Sequence, residues 1–432
     1  MNRTRNTLGL AFALGIAALV LLFLWKGAPP EMSDEQLTRR NRISATAPRP
    51  AWKELDAYQN AITEADFIDQ LTRVYSEGDA WKSVVKFEPG SGYADLQVEG
   101  NGRLRLTFAK NEPNEKPKRY WRAASELPPA EDLADKPLKG IHIAIDPGHI
   151  GGEWAKMEER WYQIDNNGTE VKEGELTLKT AQILKPKLEA LGARVSLVRK
   201  EHEPVTRKRP DDFEELAIAT LKSRGEIPEG RALQRQKEIL FYRKWEIRRR
   251  AQIINGQLKP DLVLCPHFNA SSWGDPANPQ LTTRNDFHLL INGTYAEYEF
   301  RLEDNRFHLF KRLLQGIHHE ELPLNLAVAA TMAEETGLPP YIYPGSNAKR
   351  VTDDQLGDYI WARNLLANRI YHCPIVFLEP YIMNSRDVYA RIGAGDYEGE
   401  REVAGKMRKS LFHEYADGVA EGLRRYYAEA RK

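Results

Sequence analysis

The sequence has few cysteines and no excess of charge of either sign. Two cysteines among 432 residues, Cys265 and Cys373, exclude a disulfide framework and a zinc site made of four thiolates. Whether the two thiols pair with each other depends on strand adjacency, which the sequence leaves open. The 62 Lys and Arg residues balance the 62 Asp and Glu residues, so no basic field attracts a polyanion, and a nucleic-acid partner is not expected.

Three familiar signatures of enzyme sites are also missing from the sequence. There is no nucleophile elbow around a serine, no P-loop and no dinucleotide-binding fingerprint. With only two cysteines, a bound metal would have to be held by histidine and carboxylate side chains. The apolar fraction of 41% and the charged fraction of 29% are typical of a globular chain, and they exclude collagen-like, wholly disordered and polytopic membrane classes.

One long apolar run lies near the N-terminus. Residues 8–25 carry no charge, and their number is close to the roughly 20 residues that a membrane-spanning helix needs. Two arginines in the predicted cytoplasmic segment 1–7 and acidic residues after the run predict that the rest of the chain lies outside the cytoplasm. The residues that follow fit a signal-cleavage site poorly. This favours an uncleaved anchor in the cytoplasmic membrane over a cleaved signal that releases the chain to the periplasm.

Composition divides the remaining chain into three parts. Residues 26–50 are polar and contain prolines, which is typical of a linker. Residues 51–130 combine a helical pattern with strand-like alternation and predict a small α+β module of unknown role. Residues 138–430 form the predicted main domain, with insertions at about 201–244 and 273–358 that exceed ordinary connecting loops.

Short apolar runs alternate with helical patterns in the main domain. The strand-sized runs are residues 141–145, 195–198, 262–265, 287–291 and 375–378. This alternation predicts an α/β fold with a mixed or mostly parallel sheet flanked by helices. His288 lies inside one run, where a place in the core and a place beside a site both remain open. Functional groups in such folds gather at the carboxyl ends of strands.

Two histidines and several carboxylates stand where this rule expects them. His149 follows the first run by four residues, His267 follows the third by two, and Glu379 directly follows the last. Glu173 and Glu175 both lie at the start of a predicted helix, and spacing does not choose between them. Two histidines and one carboxylate with an open fourth position are the ligand set of a catalytic zinc. A further carboxylate nearby supplies a general base and acid.

The order of these residues resembles the catalytic domain of the zinc-dependent N-acetylmuramoyl-L-alanine amidases of bacterial cell walls, the Amidase_3 family. The resemblance runs from about residue 141 to the end of the chain. It matches His149, in a strand-DPGH-glycine motif, and His267, in an H-x-N-A motif, to the two zinc histidines. An E-x-x-L-x-L segment matches Glu173, rather than Glu175, to the zinc glutamate. Glu379 matches the catalytic glutamate that ends the last strand.

The resemblance also implies supporting residues, a substrate and partners. Arg250 and Asn255 echo the family motif R-x-x-x-A-N, and with Asp146 and Asn269 they are candidates for supporting the ligands or contacting substrate. The family implies one zinc ion and hydrolysis of the amide bond between N-acetylmuramic acid and L-alanine in peptidoglycan. Peptidoglycan, the inner membrane and an activator protein are therefore the candidate partners.

The sequence departs from the family pattern in ways that leave two other functions open. Ile150 interrupts the glycine run after the first histidine, and Pro380 stands where a glycine is common. The two insertions could cover the groove and inhibit the enzyme, as inhibitory helices do in regulated members of the family. A different zinc amidohydrolase, such as a peptidoglycan carboxypeptidase, would use the same groups. A non-catalytic wall-binding or regulatory scaffold would retain the site without turnover.

Overall fold

The apolar runs of the main domain form the strands of a central sheet. The computed structural model describes residues 42–113, 116–129, 135–165, 167–275 and 278–432. The strands in this part of the chain are β1 (Val85–Phe87), β2 (Tyr93–Gln97), β3 (Arg103–Thr107), β4 (His142–Ile145), β5 (Trp161–Gln163), β6 (Glu170–Lys172), β7 (Arg194–Leu197), β8 (Leu262–Pro266), β9 (Phe287–Ile291), β10 (Lys349–Arg350), β11 (Ile360–Ala362), β12 (Ile375–Pro380), β13 (Glu400–Val403) and β14 (Lys406–Lys409).

The α-helices of the same residues alternate with these strands. They are α1 (Glu64–Gln70), α2 (Glu173–Ala190), α3 (Glu214–Ser223), α4 (Gly230–Ile239), α5 (Ile247–Gln252), α6 (Glu297–Phe300), α7 (Glu303–Leu314), α8 (Ile317–Thr336), α9 (Leu366–Ile370), α10 (Arg386–Ala394) and α11 (Leu411–Ala430). The π-helical segments Leu240–Glu246 and Ile253–Leu258 connect and extend α4 and α5, so that one helical run extends from residue 230 to residue 258.

Seven strands form the central sheet, in the order β10-β11-β9-β12-β8-β4-β7. Four neighbouring pairs are parallel, whereas β9 with β12 and β10 with β11 are antiparallel. This arrangement confirms the predicted α/β class with a mostly parallel sheet. Because β4, β8 and β12 run in the same direction, their carboxyl ends meet at one edge, where the residues that follow them come together.

Helices cover both faces of this sheet. Successive strand residues point to opposite faces, so Ile143 and Ile145 of β4 pack with α2, α8 and α11, while Ala144 packs with α5 and α9. On β8, Leu264 lies on the first side and Cys265 on the second. Every residue of β4, β8 and β9 is buried. This accounts for runs that are continuously apolar rather than alternating.

The stretch 51–130 contains α1 and the antiparallel sheet β1-β2-β3. Its contacts with the central part include Arg306 of α7, which donates hydrogen bonds to the carbonyls of Gln97 and Val98 at 3.1 and 2.8 Å. Residues 45–432 form one compact unit. The division of this unit into a module at 51–130 and a catalytic domain at 138–430 stays a prediction.

The two long polar stretches differ in their relation to the sheet. Residues 201–244 contribute α3, α4 and the first π-helical segment, which pack outside the sheet. Residues 273–358 contribute β9, which pairs with both β11 and β12. They also contribute α8, whose Asn325 donates to the carbonyl of Ile375 at 2.8 Å. The second stretch is therefore built into the sheet.

No helix of the described residues has the length and apolarity needed to cross a membrane. The predicted anchor at 8–25, the segment 1–7 before it and most of the linker at 26–50 lie outside those residues. Cys265 and Cys373 are both buried and both free thiols.

Candidate metal centre

Three of the predicted ligands converge on one point beside the sheet. The Nε2 atom of His149 lies 3.2 Å from one carboxylate oxygen of Glu173, and the Nδ1 atom of His267 lies 3.1 Å from the other. Donor atoms of the three side chains all lie within 4.8 Å of one another. Two donors bound to the same tetrahedral zinc are roughly 3.3 Å apart, given bond lengths of about 2.0–2.1 Å. The donor set and its spacing therefore fit a zinc ion.

Glycines allow the three elements that carry these ligands to approach each other. A Cβ atom on Gly148 would lie 2.3 Å from the His267 ring, and one on Gly174 would lie 2.2 Å from the backbone nitrogen of Gly151. Any larger residue at these positions would push the loop after β4 away from β8 or from the start of α2. The glycines of the DPGH loop and of α2 thus serve close packing around the three donors.

Glu173 is the first residue of α2 and is 1% exposed. One of its oxygens accepts a hydrogen bond from the backbone nitrogen of Phe268 at 3.2 Å, and the other pairs with Nε of Arg160 at 3.1 Å. Burial opposes ionisation of this carboxyl, but His149, His267 and Arg160 outweigh it and hold its pKa well below the usual range. Glu173 is therefore ionised, as a metal ligand must be.

Glu158 and Arg250 hold His149 from the side away from Glu173. The Nδ1 atom of His149 lies 3.4 Å from the Glu158 carboxylate, which also accepts hydrogen bonds from the backbone nitrogens of Ile150 and Gly151. Arg250 donates to the His149 carbonyl at 2.8 Å. The backbone of His149 is left-handed, with φ of 58°, a conformation that costs about 1–3 kcal/mol outside glycine. These contacts hold the imidazole in place despite that cost.

The two carboxylates also determine the protonation of His149. Burial lowers the affinity of the ring for a proton, but Glu173 and Glu158 outweigh burial and raise its pKa to about 9. The pKa of Glu158 is lowered, because His149 and two backbone N–H groups outweigh its burial. This part of the site is thus arranged to stabilise positive charge, which a proton or a metal cation can supply.

The ring of His267 stacks on Phe377 of β12, with centroids 4.5 Å apart and an interplanar angle of 16°. Its backbone nitrogen donates to the carbonyl of Leu378 at 3.0 Å, and its carbonyl accepts a hydrogen bond from the Tyr415 hydroxyl at 3.2 Å. The imidazole therefore has little freedom to rotate, and its Nδ1 atom stays directed at Glu173.

Glu379 lies on β12 directly opposite His288 of β9. Residues directly opposite each other in an antiparallel pair share one face of the sheet, so both side chains flank the metal centre. Burial is the main cause that raises the pKa of Glu379 above its usual value; Glu173 adds to the effect, and His267 opposes it. A carboxyl with a raised pKa can gain and lose a proton closer to neutral pH, as a general base and acid requires.

Two cavities meet at this centre. The smaller, of about 230 Å³, lies between the centre and the aromatic residues Tyr341 and Tyr343. The larger, of about 450 Å³, extends along Phe377 and the helical run after α4. His149 and Glu379 line both cavities, as do two arginines. The stretch 273–358 therefore walls the smaller cavity, and the end of the stretch 201–244 walls the larger one.

The other predicted site residues occupy different places. Asp146 accepts hydrogen bonds from Arg250 at 2.9 Å and from the Tyr371 hydroxyl at 2.5 Å. It lies at the start of the loop that follows β4 and carries His149, which we call the ligand loop. Asn269 lines the smaller cavity. Asn255 bonds instead to Tyr120 and to the backbone of residues 370 and 372 and lines neither of these cavities. Glu175 pairs with Lys172 at 3.4 Å, outside the group of donors.

Ile150 has a structural role that accounts for its departure from the glycine pattern. Its side chain is fully buried against a cluster from the stretch 201–244 that includes Phe213, Leu240 and Phe241. The ligand loop is thereby fixed to α3 and α4. The first stretch therefore packs against the support of the metal centre.

Several residues around the centre were not among the sequence candidates: Glu158, Arg160, Tyr343 and Arg363. None of them follows a strand at the edge where the ligands gather. The expectation that functional groups lie at the carboxyl ends of strands therefore does not select them. The sequence leaves open whether His288 lies in the core or beside a site, and the structure places it in the wall of the smaller cavity. No local signal distinguishes these residues from other polar side chains.

No protein-family model and no curated protein matches the chain. Solved structures align with about two thirds of it. The N-acetylmuramyl-L-alanine amidase Ami1 from Mycobacterium abscessus shares 16% identity over 67% of this chain and 99% of its own, with a TM-score of 0.37. The CwlD amidase from Clostridioides difficile, solved in complex with the GerS lipoprotein, shares 10% identity over 66% of this chain and 98% of its own, with a TM-score of 0.36.

A third similar structure is the catalytic domain of CwlV, an N-acetylmuramoyl-L-alanine amidase from Bacillus (Paenibacillus) polymyxa var. colistinus. It shares 14% identity over 66% of this chain and 97% of its own, with a TM-score of 0.36.

Proposed function

We propose that the chain is a zinc-dependent N-acetylmuramoyl-L-alanine amidase that acts on peptidoglycan outside the cytoplasm. One observation carries the proposal: His149, Glu173 and His267 present their donor atoms to one point, with Glu379 on the wall of the same two cavities. The motif resemblance supplies the substrate, and the apolar run at 8–25 supplies the compartment and the membrane anchor.

The residues that would hold one zinc ion are His149 through Nε2, His267 through Nδ1 and Glu173 through its carboxylate. A zinc ion held there supplies a Lewis acid that polarises an amide carbonyl and makes water more acidic. Glu158 orients His149, and Phe377 orients His267. These contacts limit the reorganisation of the ligands on binding and leave room for substrate on the side of the cavities.

Glu379 acts as the base and then as the acid. Its carboxylate takes a proton from the attacking water and delivers that proton to the nitrogen of the departing amine. The bond that breaks joins the lactyl carbonyl of muramic acid to the nitrogen of L-alanine; the products are a carboxylic acid and a peptide with a free amino terminus. Burial of Glu379 raises its pKa and thereby favours the first half of this transfer, in which the carboxylate takes up the proton.

Inhibition by the two long stretches remains part of the proposal. The stretch 201–244 contacts the loop that carries His149 through the cluster around Ile150, and its last residues, Tyr242, Arg243 and Lys244, line the larger cavity. The stretch 273–358 contains β9 and cannot be deleted without opening the sheet. Deletion of α3 and α4 is therefore the suitable test for inhibition, and an activator protein would act on the same helices.

The experiment that tests the function compares wild type with Glu379→Gln on purified peptidoglycan, with zinc content measured on the same samples. We expect turnover to fall by about 100- to 10⁴-fold, the range for loss of a general base, while zinc content stays near one per chain. Glu398→Gln is the matched control, because the Glu398 side chain is 92% exposed. Undiminished hydrolysis by Glu379→Gln would refute the assigned role.

The products separate the alternatives. New peptides that begin with a free L-alanine amino group indicate the amidase, whereas stems trimmed at their carboxyl ends indicate a carboxypeptidase that uses the same centre. Zinc bound without turnover by wild type, and also after deletion of α3 and α4, would indicate a wall-binding scaffold.

A further inference from the structure

The two cavities at the metal centre are lined by cationic side chains. They are Arg160, Arg243, Lys244, Arg250, Arg284 and Arg363. Four of the arginines pair with carboxylates of the chain: Arg160 with Glu173 at 3.1 Å, Arg243 with Glu159 at 3.2 Å, Arg250 with Asp146 at 2.9 Å and Arg284 with Asp286 at 2.5 Å. Their charge is thereby balanced within the protein.

Arg363 differs from these four arginines. It is half-buried, lines both cavities together with His149 and Glu379, and forms no ion pair with any carboxylate of the described residues. Only one of its five side-chain N–H donors has a protein partner in this part of the chain, namely the hydroxyl of Tyr343 at 3.3 Å. A half-buried guanidinium with most of its donors unused is a recognition group for an anionic guest.

Aromatic residues fix the position of Arg363. Its guanidinium lies 5.5 Å from the centre of the Tyr343 ring, and that ring packs against Tyr341 and Trp361 with centroids 4.7 and 5.2 Å apart. The backbone nitrogen of Arg363 donates to the carbonyl of Ile291, at the end of β9, at 2.9 Å. The side chain is thus held ready for a ligand, which reduces the entropy lost on binding.

His288 completes this support. The Tyr343 hydroxyl lies 2.9 Å from Nε2 of His288 and accepts a hydrogen bond from Arg363, so its single proton is free to be donated to His288. Burial, together with Arg363 and Arg284, lowers the pKa of His288 to about 3 and keeps the ring neutral. A neutral His288 acts as an acceptor that orients Tyr343, and it adds no charge to compete with that of Arg363.

Lys244 offers a second cation in the larger cavity. It also forms no ion pair with a carboxylate of the described residues. Its pKa is lowered by burial and by the neighbouring Arg369 and Arg248, against the opposing effect of Asp304. A negatively charged guest would relieve this repulsion, so the positive side of the cavity extends from Arg363 toward Lys244.

We propose that Arg363, positioned by Tyr343 and His288, forms a carboxylate-binding subsite beside the metal centre, with Lys244 receiving a second carboxylate. The inference rests on the proposed amidase function and names its substrate class: amides whose peptide portion carries free carboxylates. The planar guanidinium would bind the carboxylate through two parallel hydrogen bonds. The scissile amide is then placed between the three ligands and Glu379.

The test uses two synthetic muramoyl peptides that differ only in having free carboxylates or carboxamides on the peptide. We expect wild type to prefer the carboxylate substrate by about 10- to 100-fold in kcat/KM, the range for one hydrogen-bonded charge pair. Arg363→Gln should lose this preference, because its kcat/KM falls much further on the carboxylate substrate, mainly through a higher KM, than on the carboxamide. Arg363→Lys should keep part of the preference, and Tyr343→Phe should lose part of it.

Arg301→Gln serves as the control, because Arg301 is 75% exposed and pairs only with Glu297 among the described residues. Equal rates of wild type on the two substrates would overturn the subsite and leave the amidase function intact. A loss in Arg363→Gln that is equal for both substrates would also overturn it.

Binding separates failure of the subsite from failure of the amidase function. If wild type hydrolyses neither substrate, the proposed function fails, and the subsite is then decided by calorimetric titration of wild type with a stem tripeptide and its fully amidated form. Weaker binding of the amidated peptide, with no such difference in Arg363→Gln, supports the subsite. Equal binding of both peptides by wild type refutes it.

Discussion

Substitution of Gly148 by alanine should destroy the metal site while leaving the fold intact. The added Cβ atom would lie 2.3–2.5 Å from three atoms of the His267 ring, whereas ordinary contacts begin at 3.4 Å. The ring or the loop must therefore move by about 1 Å, and the ring is already stacked on Phe377. Metal–ligand distances tolerate a change of only about 0.2 Å. His267 would thus be lost as a ligand.

The expected loss of zinc affinity can be bounded from the effect of milder changes near a metal site. Changes to groups that merely support a ligand cost about 10- to 100-fold in metal affinity. Displacement of the ligand itself should cost at least about 100-fold, which corresponds to about 2.7 kcal/mol of binding free energy. Zinc affinity is measured by competition with a chromophoric chelator at fixed pH, and circular dichroism checks the fold.

Gly256→Ala is the matched control for this substitution. Gly256 lies in the π-helical segment after α5, and a Cβ atom there would meet no atom within 4 Å. The control variant should bind zinc as wild type does. Zinc affinity of Gly148→Ala equal to that of wild type would refute the assignment of His267 as a ligand held against this glycine.

Three further predictions concern the support of the same site. Glu158→Gln should weaken zinc binding by about 10- to 100-fold without unfolding the protein, since it removes the carboxylate beside Nδ1 of His149; chelator competition measures this, and unchanged affinity would contradict it. In the metal-free protein the pKa of His149 is raised to about 9 from its ordinary 6.5, so the stabilisation of about 3 kcal/mol is full below about pH 6.5 and is lost as the pH rises through 9. Urea unfolding in chelator should therefore show wild type more stable than His149→Gln at about pH 6 and a much smaller gap near pH 10; a gap independent of pH would exclude this linkage. Ile150→Ala should cost about 2–4 kcal/mol in the free energy of unfolding, because the side chain is fully buried, and should raise hydrogen exchange in the stretch 201–244; unchanged exchange there would show that Ile150 does not anchor that stretch.

The sequence predicts five of the seven strands of the central sheet and misses the short strands β10 and β11. The run 262–265 becomes Leu262–Pro266 and the run 287–291 becomes Phe287–Ile291, because residues buried on both faces leave a continuous apolar signal. The direction of a strand leaves no such signal. The antiparallel pairing of β9 with β12, which places His288 opposite Glu379, was therefore beyond reach of the apolar pattern.

The same contrast applies to the candidate site. The sequence predicts His149 and His267 as metal ligands because both follow strands, where the geometry of the fold gathers functional groups. Arg160 and Arg363 come to the site through loops and a short strand whose course depends on packing far along the chain. Arg160 matters because it shares the carboxylate of Glu173 with the two histidines, and Arg363 matters because no carboxylate of the described residues balances its charge. Both surroundings exist only once the chain has folded.

The place of β12 in the sheet has a consequence for biosynthesis. It is the last strand of this sheet to leave the ribosome, yet it lies between β8 and β9 in the sheet. Strand β12 therefore joins the group β8, β4 and β7 on one side to the group β9, β11 and β10 on the other. A nascent chain that ends before residue 375 can form only two separate half-sheets, even though it already contains all three metal-binding candidates. Closure of the sheet and arrival of Glu379 are therefore the same event, and an enzyme of the proposed kind gains its activity only after β12 has been synthesised.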